Sequence, residues 1–501
     1  MTASLTRIGA CLTLASGFIA TSLSAQTPSY SIIDIGDFAP AGQSDGTNAT
    51  GMNELGHVAA VSGDGSGGAI PALYRDGQLI NLGGFPGGIV GGGSKGVNNL
   101  DHVAGWSMQQ VASGGYQSEP FVWTEEGGMD RIFADESVNL WGEIWDVNDA
   151  GQAAYRTGCG FYDPATGYHE LDFPWVGPNS GWAAWDLNED GVVAGSARGL
   201  TNQIEPFRYD SATDTIVSLI DPLLDFKGEA YGINDLGDVA GWVYMPGPIA
   251  PAMVWTADGQ THRIYAGDLG VNQIDGTAEH VNNHGDVVGI DRSPAPSAGN
   301  PDFEPIGWVS FDALEGAPFV KHDLLDLVDP AQAADWRRLH PFEINDRGEI
   351  CGIAVAAAGG PSGGARGFLM VPNTPDRFRN LSRALAGVDG HPVMVGKGTL
   401  EAGTALDVAL YKGAPNAVGF LMLGLETAYA PLRGGVLVPD VLGASGVAAP
   451  IITDGNGQHS VSTTWQAGIP ADLDVVAQYW LLDAAGKQGA SASNAVVQQT
   501  K

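Results

Sequence analysis

One short pattern recurs along this chain and constrains its fold more than any other feature. It consists of an apolar residue, an Asn, two variable residues, usually a Gly, one further residue and then small apolar residues. The Asn of each copy is Asn53, Asn98, Asn148, Asn188, Asn234, Asn282 or Asn345, so successive copies lie 45, 50, 40, 46, 48 and 63 residues apart. A period of about 20–50 residues indicates a repeat architecture in which each copy forms one supersecondary unit.

Each repeat contains four short apolar runs that predict strands. The residue before the Asn ends one run, and the small residues after the turn, as in Val239-Ala-Gly241, begin a second. A third run usually holds an aromatic residue, as in Phe121-Val-Trp123, and turns such as Asp258-Gly259 lead to a fourth. Asp-Gly turns between apolar runs are typical of β-hairpins. Four strands every 40–50 residues predict an all-β fold, a seven-bladed β-propeller.

The two ends of the repeat region indicate how this ring of blades closes. The seventh repeat stops at Val371, before Pro372-Asn-Thr-Pro375, without a fourth run of its own. The segment Tyr30–Gly36 is a strand-like run with no repeat in front of it. We therefore expect Tyr30–Gly36 to pair with the strand near Phe368 and to complete the last blade, which removes two exposed sheet edges.

The repeats resemble a known family. Their Ile-Asn-x-x-Gly-x-Val-x-Gly core is similar to that of the HAF family of extracellular repeats, and Ile32-Ile-Asp-Ile-Gly36 and Leu79-Ile-Asn-Leu-Gly-Gly84 fit its third element. The resemblance covers about residues 30–371. It implies export and a repetitive β fold, and it supplies no catalytic residue. Copy two departs from the pattern, with Asp101 in place of the turn Gly.

The segments on either side of the repeats predict export and a second domain. In residues 1–25, Arg7 precedes the apolar run 8–20 and a small-residue stretch, which is the layout of a secretory signal peptide. We assign residues 26–372 to the propeller and residues 373–501, with alternating runs such as 405–411 and 475–482, to a β-sandwich. This segment is similar to small C-terminal domains of secreted bacterial proteins. The expected location is secreted or extracellular, with the periplasm as the alternative.

Charge and cysteine content exclude several classes of protein. The 501 residues include 23 Lys and Arg against 57 Asp and Glu, a formal charge of −34. This excludes nucleic-acid binding through a basic surface, and no segment after the leader is long and apolar enough for a membrane span. Cys159 and Cys351 belong to the third and seventh repeats, which a ring holds too far apart for a disulfide. We expect two buried free thiols.

The sequence predicts no catalytic, cofactor or metal site. The segment Asn234-Asp-Leu-Gly-Asp238 offers the oxygen ligands that Ca²⁺ prefers, but the acidic positions vary between copies. The interpretation we prefer is a turn in which the Asn side chain bonds the local backbone. His280 and His284 have His-x-x-x-His spacing, which places two zinc ligands together only on a helix. Here the pattern predicts a strand and a turn.

The candidate ligand-binding residues are aromatic and charged side chains that break the period of the repeat. We expect them in the connections between one blade's last strand and the next blade's first, and the longest interval holds a cluster of them. They are Trp141, Glu143, Trp182, Asp335, Trp336, Arg337 and His340. Exposed Trp beside carboxylates and Arg suits stacking on a sugar or gripping a peptide. The alternative is Trp packed beneath a loop.

Together these features predict a secreted, non-enzymatic binding or scaffold protein whose ligand at the propeller face is an extracellular glycan or a protein. The alternative is a secreted polysaccharide hydrolase or lyase with carboxylates at the channel mouth, because propellers carry both kinds of function. Two carboxylates about 5–10 Å apart in an open cleft would favour the enzyme. A shallow or blocked face would favour binding.

Overall fold

The computed structural model describes residues 27–40, 46–85, 91–110, 115–132, 142–156, 158–173, 181–198, 203–220, 226–244, 250–264, 275–292, 305–314, 319–358, 360 and 365–501. The predicted signal peptide lies outside these residues. The chain divides into two compact units, one of Ser29–Asn345 with Glu349–Pro372 and one of Asn373–Lys501 with Asp346–Gly348. Within the described residues, no helix has the length and apolar character needed to cross a membrane.

Seven four-stranded antiparallel sheets form the unit that contains the repeats, and the fold is all-β. Six sheets take four consecutive strands each, in chain order. These are β2–β5 (Thr47–Met52, Val58–Gly63, Ala69–Arg75, Gln78–Asn81), β6–β9 (Gly92–Val97, Val103–Gln110, Tyr116–Thr124, Gly128–Arg131), β10–β13 (Ile144–Val147, Ala153–Tyr155, Gly160–Asp163, Gly167–Glu170), β14–β17 (Gly181–Leu187, Val192–Arg198, Ile204–Asp210, Thr215–Ser218), β18–β21 (Lys227–Ile233, Val239–Tyr244, Ala252–Trp255, Thr261–Ile264) and β22–β25 (Asp275–Val281, Val287–Arg292, Ile306–Ser310, His322–Asp323).

The remaining sheet joins the two ends of the repeat region. It consists of β26–β28 (Trp336–Ile344, Ile350–Ala356, Ala365–Pro372) and β1 (Tyr30–Asp34). Strand β1 pairs antiparallel with β28 from Tyr30 opposite Pro372 to Asp34 opposite Phe368. The pairing of the N-terminal segment with the strand at Phe368 is thus confirmed.

The longest interval between repeats contains two short helices. They are α1 (Leu324–Leu327) and α2 (Pro330–Ala333), which lie between β25 and β26. Asp323 and Asp329 cap them, each carboxylate accepting a backbone N–H of the first turn. Such capping satisfies donors that a helix leaves unbonded at its start.

The repeat Asn organises the turn between the first two strands of each sheet. Its side-chain Oδ1 accepts the N–H of the residue four positions later in all seven copies, as Asn53 does from His57 at 2.9 Å. All seven Asn residues are 2–4% exposed. The expected Asn-bonded turn is therefore present, and the side-chain oxygen is used within the protein.

The same Asn side chains also connect neighbouring sheets. Each Nδ2 donates to the backbone carbonyl of the next repeat Asn, at 2.9 Å from Asn53 to Asn98 and at 3.0 Å from Asn188 to Asn234. The last bond runs from Asn345 back to Asn53, at 3.3 Å. The seven bonds form a closed cycle that includes every copy of the repeat.

Apolar clusters fill the spaces between neighbouring sheets. One joins Phe161 and Phe173 to Val193, Phe207 and other residues of the next sheet, with Cys159 buried among them. Cys351 lies in another cluster with Met52 and Val58. Both cysteines are free and fully buried, as expected from their repeats, and burial raises the pKa of each thiol.

The C-terminal unit contains three sheets. Strands β29 (Arg379–Asn380), β32 (Val418–Gly424), β35 (Val447–Ile452), β37 (Asp474–Leu482), β38 (Ala490–Ala492) and β39 (Val496–Gln499) form the largest; β30 (Val393–Lys397), β31 (Ala405–Tyr411) and β36 (His459–Thr464) form the second; β33 (Thr427–Leu432) and β34 (Gly435–Pro439) form a hairpin. A single-turn 3₁₀ helix spans Lys487–Gly489. One buried cluster combines Leu406 and Val408 of the second sheet with Leu421, Leu423 and Tyr479 of the largest.

Candidate functional site

A β-bulge interrupts the first strand of every repeat sheet at the same place. Between the first and second strands, the register always skips the residue three positions before the repeat Asn. The skipped residues are Thr50, Lys95, Trp145, Trp185, Tyr231, Glu279 and Phe342. A bulge re-aims the side chain of its extra residue and is common beside functional sites.

The next position, two residues before the repeat Asn, varies between glycine and ionisable residues. It is Gly51, Gly96, Asp146, Asp186, Gly232, His280 and Glu343 in the seven copies. Glycine is required where the neighbouring first strand approaches closely. A Cβ atom on Gly96 would lie against the carboxylate of Asp146 and 2.7 Å from its Cα.

Side chains from both positions line a cavity of about 360 Å³ within the repeat unit. The lining includes all seven bulge residues together with Gly51, Gly96, Asp146, Asp186, His280 and Glu343. The volume lies in the range of small-molecule sites, which runs from about 300 to 1000 Å³. The cavity therefore draws on the first strand of every repeat.

One side of the cavity is an aromatic wall, which we define as Trp145, Trp185 and Tyr231. The rings of Trp145 and Trp185 meet edge to face with centroids 4.5 Å apart, and Trp185 meets Tyr231 in the same way at 5.8 Å. Trp242 Nε1 donates to the Tyr231 hydroxyl at 3.1 Å. These contacts fix the orientation of the rings, and fixed aromatic faces suit stacking against a ligand.

Cations lie against this wall. Lys95 Nζ is 4.1 Å from the ring centroid of Trp145, and the guanidinium of Arg156 is 5.2 Å from the centroids of both Trp145 and Trp185. Glu143 accepts a hydrogen bond from Trp145 Nε1 at 3.0 Å and lies 3.5 Å from Arg156 and 4.0 Å from Lys95. The wall thus carries two positive side chains that share one carboxylate.

An acidic group, which we define as Asp146, Asp186 and Glu343, lies beside the wall. Burial, followed by the charge of Asp186 and a hydrogen bond to it, raises the pKa of Asp146 well above its usual value. Burial also raises the pKa of Glu343 to about 7, although the charge of His280 opposes the shift. The raised pKa favours the protonated form of Asp146 beside Asp186.

His280 lines the cavity beside the acidic group. Its Nε2 is 3.5 Å from Asp186 Oδ2, and its Nδ1 is 3.2 Å from the carbonyl oxygen of Ile344. Burial lowers the pKa of His280, but the hydrogen bond to Asp186 and the charges of Glu343 and Asp186 outweigh it. The pKa is therefore raised above its usual value.

Two of the residues proposed from the sequence contact the cavity lining. Glu143 bonds Trp145, as described above. His340 lies with its ring centroid 4.7 Å from that of Phe342 and its Nε2 3.9 Å from Glu279 Oε1. Both residues contact side chains that line the cavity, but neither is part of the lining itself.

The other proposed residues lie elsewhere. Trp182 is 45% exposed on β14, with Arg198 near its ring, and does not line the cavity. Trp336 is 7% exposed and packs in the core cluster with Leu339 and Phe368, so it has the packing role that was the alternative to stacking. Asp335 and Arg337, on either side of it, are exposed. Trp141 lies outside the described residues.

The sequence motif missed the cavity because it began two residues too late. The pattern was read from the apolar residue before the Asn, whereas the cavity is lined by the two residues that precede it. An alignment of the seven copies extended by two positions would have revealed the signal. Four copies have an aromatic residue at the bulge position, and four have an ionisable residue at the next.

The structure separates the two histidines that had metal-ligand spacing. His280 is on β22 and its side chain lines the cavity, whereas His284 is in the turn that follows. Within the described residues, no group of three or more His, Cys, Asp or Glu side chains is arranged to hold a metal ion.

Comparison with solved structures finds similar chains of several kinds. A prolyl endopeptidase is 12% identical with a TM-score of 0.35, over 92% of this chain and 63% of that one. TolB from Acinetobacter baumannii is 10% identical with a TM-score of 0.29, over 67% and 65%. The β-propeller domain of the Trilobed protease from Pyrococcus furiosus is 11% identical with a TM-score of 0.27, over 60% and 100%.

The chain spans less than two thirds of the prolyl endopeptidase and of TolB. Similarity at this level supports no assignment of an activity or a ligand. No protein-family model and no curated protein matches the sequence.

Proposed function

We propose that this protein is an exported binding protein of the HAF repeat type that holds a saccharide in the cavity of its repeat unit. The observation that carries the proposal is the combination of the aromatic wall with polar and charged groups in one cavity of about 360 Å³. Aromatic faces pack against the C–H faces of sugar rings, while carboxylates and amines bond hydroxyl groups.

The fold that we propose for the repeat unit is a seven-bladed β-propeller closed by β1. Seven four-stranded sheets, the pairing of β1 with β28 and the cycle of Asn bonds support it. For the C-terminal unit we propose a β-sandwich, which the cluster shared by its two larger sheets supports. Export rests on the signal-peptide pattern of residues 1–25.

The aromatic wall provides a direct test with a matched control on the same strand. Trp185 and Trp182 both lie on β14, but only Trp185 lines the cavity. We expect Trp185→Ala to weaken saccharide binding at least tenfold, because it removes the central ring of the wall, and Trp182→Ala to leave binding unchanged. A glycan array followed by isothermal titration of the best binder would measure this.

Two results would contradict saccharide binding in the cavity. One is equal affinity of Trp185→Ala and the unaltered protein, with urea unfolding showing that the variant is folded. The other is loss of binding in Trp182→Ala alone, which would move the site to the exposed end of β14.

A polysaccharide hydrolase or lyase is the second candidate, and one observation favours it. A carboxyl group such as Glu343, with a pKa of about 7, could act as a general acid near neutral pH. Against it, Asp146 and Asp186 are in hydrogen-bond contact, closer than the roughly 5–10 Å at which paired carboxyl groups flank a glycosidic bond. Release of reducing ends from polysaccharides, abolished by Glu343→Gln, would establish the enzyme.

A further inference from the structure

The ammonium group of Lys95 differs from the other ionisable groups of the cavity in its bonding. Lys95 has three hydrogen-bond donors and a side chain that is only 16% exposed. Among the described residues, its Nζ lies 4.0 Å from Glu143 Oε2 and 4.1 Å from the ring centroid of Trp145. A charge-assisted hydrogen bond measures about 2.7–2.9 Å, so Lys95 has the charge of Glu143 nearby but no hydrogen bond to it.

The carboxylates of the cavity, in contrast, already have donors. Asp186 accepts the backbone N–H of Ile233 at 2.7 Å. Glu343 accepts that of Met52 at 2.6 Å, and Glu279 accepts the hydroxyl of Thr277 at 2.5 Å. The protein thus satisfies its acids at the cavity and leaves its amine open to an acceptor.

Lys95, Arg156 and Glu143 together carry two positive charges and one negative charge. Glu143 faces both Lys95 and Arg156, and its Oε2 is already bonded by Trp145 Nε1 at 3.0 Å. Burial lowers the pKa of Lys95, the charge of Glu143 opposes this and that of Arg156 adds to it. A buried cation with too few acceptors costs free energy, which an anionic acceptor would recover.

We propose that the saccharide carries a carboxylate, as a uronic acid does, and that this group binds Lys95 Nζ while the sugar ring packs on Trp145 and Trp185. The inference rests on the proposed saccharide binding and specifies its ligand class. A single negative charge matches the ammonium group of Lys95. A group with two charges would be repelled more strongly by Asp186, Glu279 and Glu343, which line the same cavity.

The test compares two probes that differ in one carboxylate alone, methyl galacturonoside and methyl galactoside. We expect methyl galacturonoside to bind at least tenfold more tightly, with an advantage that shrinks as salt is added, because salt screens charges. Lys95→Met should abolish the difference between the two probes. Lys227→Met is the matched control, since Lys227 also lies over an aromatic ring, that of Tyr244 at 4.8 Å, but not in the cavity.

The outcomes separate this inference from the function on which it rests. Equal binding of the two probes, or an unchanged preference in Lys95→Met, overturns the carboxylate and leaves saccharide binding intact. Binding of neither these probes nor any sugar on an array overturns both. Lys95→Gln, which keeps a polar side chain, provides the same comparison if Lys95→Met does not fold.

Discussion

The residue two positions before each repeat Asn has one of two roles. It is either a glycine, which lets the neighbouring first strand approach closely, or an ionisable residue, whose side chain lines the cavity. At Gly232, a Cβ atom would lie 2.6 Å from Cδ2 of His280 and 2.8 Å from its Cα, in the next repeat. Gly96 stands in the same relation to Asp146. Glycine in these two repeats therefore makes room for the ionisable side chain of the next. The positions of Asp146 and His280 depend on it.

Residue Asp101 explains a second irregularity of the repeats. It replaces the turn Gly of copy two and adopts a left-handed backbone, with φ of 60°. Its carboxylate lies 2.6 Å from His57 Nδ1 and 3.0 Å from Arg75 Nη1. Asp is among the residues that tolerate this conformation, and here its side chain gains two partners.

Glu343 makes the stability of the protein depend on pH. Its pKa is about 7 when folded and about 4.3 in an unfolded chain, so the unfolded state binds fewer protons between these values. The stability that this group contributes is complete below about pH 4 and is lost as the pH rises through 7. We expect Glu343→Gln to reduce the loss of unfolding free energy between pH 5 and 8 by about 1–3 kcal/mol.

Urea unfolding at the two pH values would measure this effect. Gln can still accept the N–H of Met52, so the change removes the titration and keeps the hydrogen bond. Glu126→Gln, at an exposed position, is the control and should follow the unaltered protein. Identical pH profiles for all three proteins would refute a raised pKa at Glu343. His280 keeps part of the dependence, because its raised pKa acts in the same direction.

At the scale of the element, the Asn turn and the β-bulge of the first two strands work together in every repeat. The Asn amide uses its oxygen to shape the turn and its nitrogen to hold the next sheet, as Asn188 does with Val192 and Asn234. Three residues earlier, the bulge turns a side chain toward the cavity. Each repeat thus places its bulge residue three positions before an Asn that is hydrogen-bonded to the next sheet.

One substitution removes the nitrogen half of this amide, and it places a buried carboxylate there. Asn188→Asp keeps the acceptor for Val192 and replaces the donor to Asn234 with an oxygen, which leaves a buried carbonyl unbonded. We expect the free energy of unfolding to fall by about 1–3 kcal/mol. In the exposed Asn81, the oxygen accepts the N–H of Gly83 and the nitrogen has no partner within the described residues, so Asn81→Asp should change little. Equal effects of the two substitutions in chemical denaturation would show that the cycle of Asn bonds does not stabilise the protein.

The strands could be predicted from the sequence, but their bulges could not. Runs such as Val239-Ala-Gly241 indicate a strand because alternation and turn residues are local properties. Whether Trp185 is skipped in the pairing depends on which residue of the partner strand faces it, and that is a property of the pair. The burial of Trp336 could not be predicted from the sequence for a similar reason, because burial depends on which other residues cover the side chain.

At the scale of the whole molecule, β1 holds together residues more than 330 positions apart in the chain. Tyr30 and Ile32 are 0% and 8% exposed, and Arg366 bonds both carboxylate oxygens of Asp34, at 3.0 and 3.1 Å. Without β1, strand β28 would have an unpaired edge.

Removal of β1 tests its contribution. A chain that begins after Gly36 should unfold at a clearly lower urea concentration than one that begins at Thr27, because burying each large apolar side chain contributes about 1.5–3 kcal/mol. Tryptophan fluorescence would follow the transition. A synthetic peptide of residues 29–36 should restore part of the loss, which distinguishes missing pairing from general damage. Coincident transitions of the two chains would contradict the role of β1.

The acidic charge is distributed very unevenly along the chain. Residues 26–372 contain 14 Lys and Arg against 47 Asp and Glu, whereas residues 373–501 contain 8 against 10. The repeats therefore carry nearly all of the net charge. In that setting Lys95 is an exception, and its position in the cavity makes it a local site for a negatively charged group.

The sequence by itself determined the number of repeats, the Asn turns, the pairing of β1 and the isolation of the two cysteines. These follow from periodicity and from turn chemistry, which act over a few residues and repeat along the chain. Only the tertiary structure decided which side chains face the cavity, because that depends on strand register, on the approach of neighbouring sheets and on burial. Lys95, Trp185 and Glu343 lie far apart in the sequence and acquire a common role only where the first strands of their sheets converge.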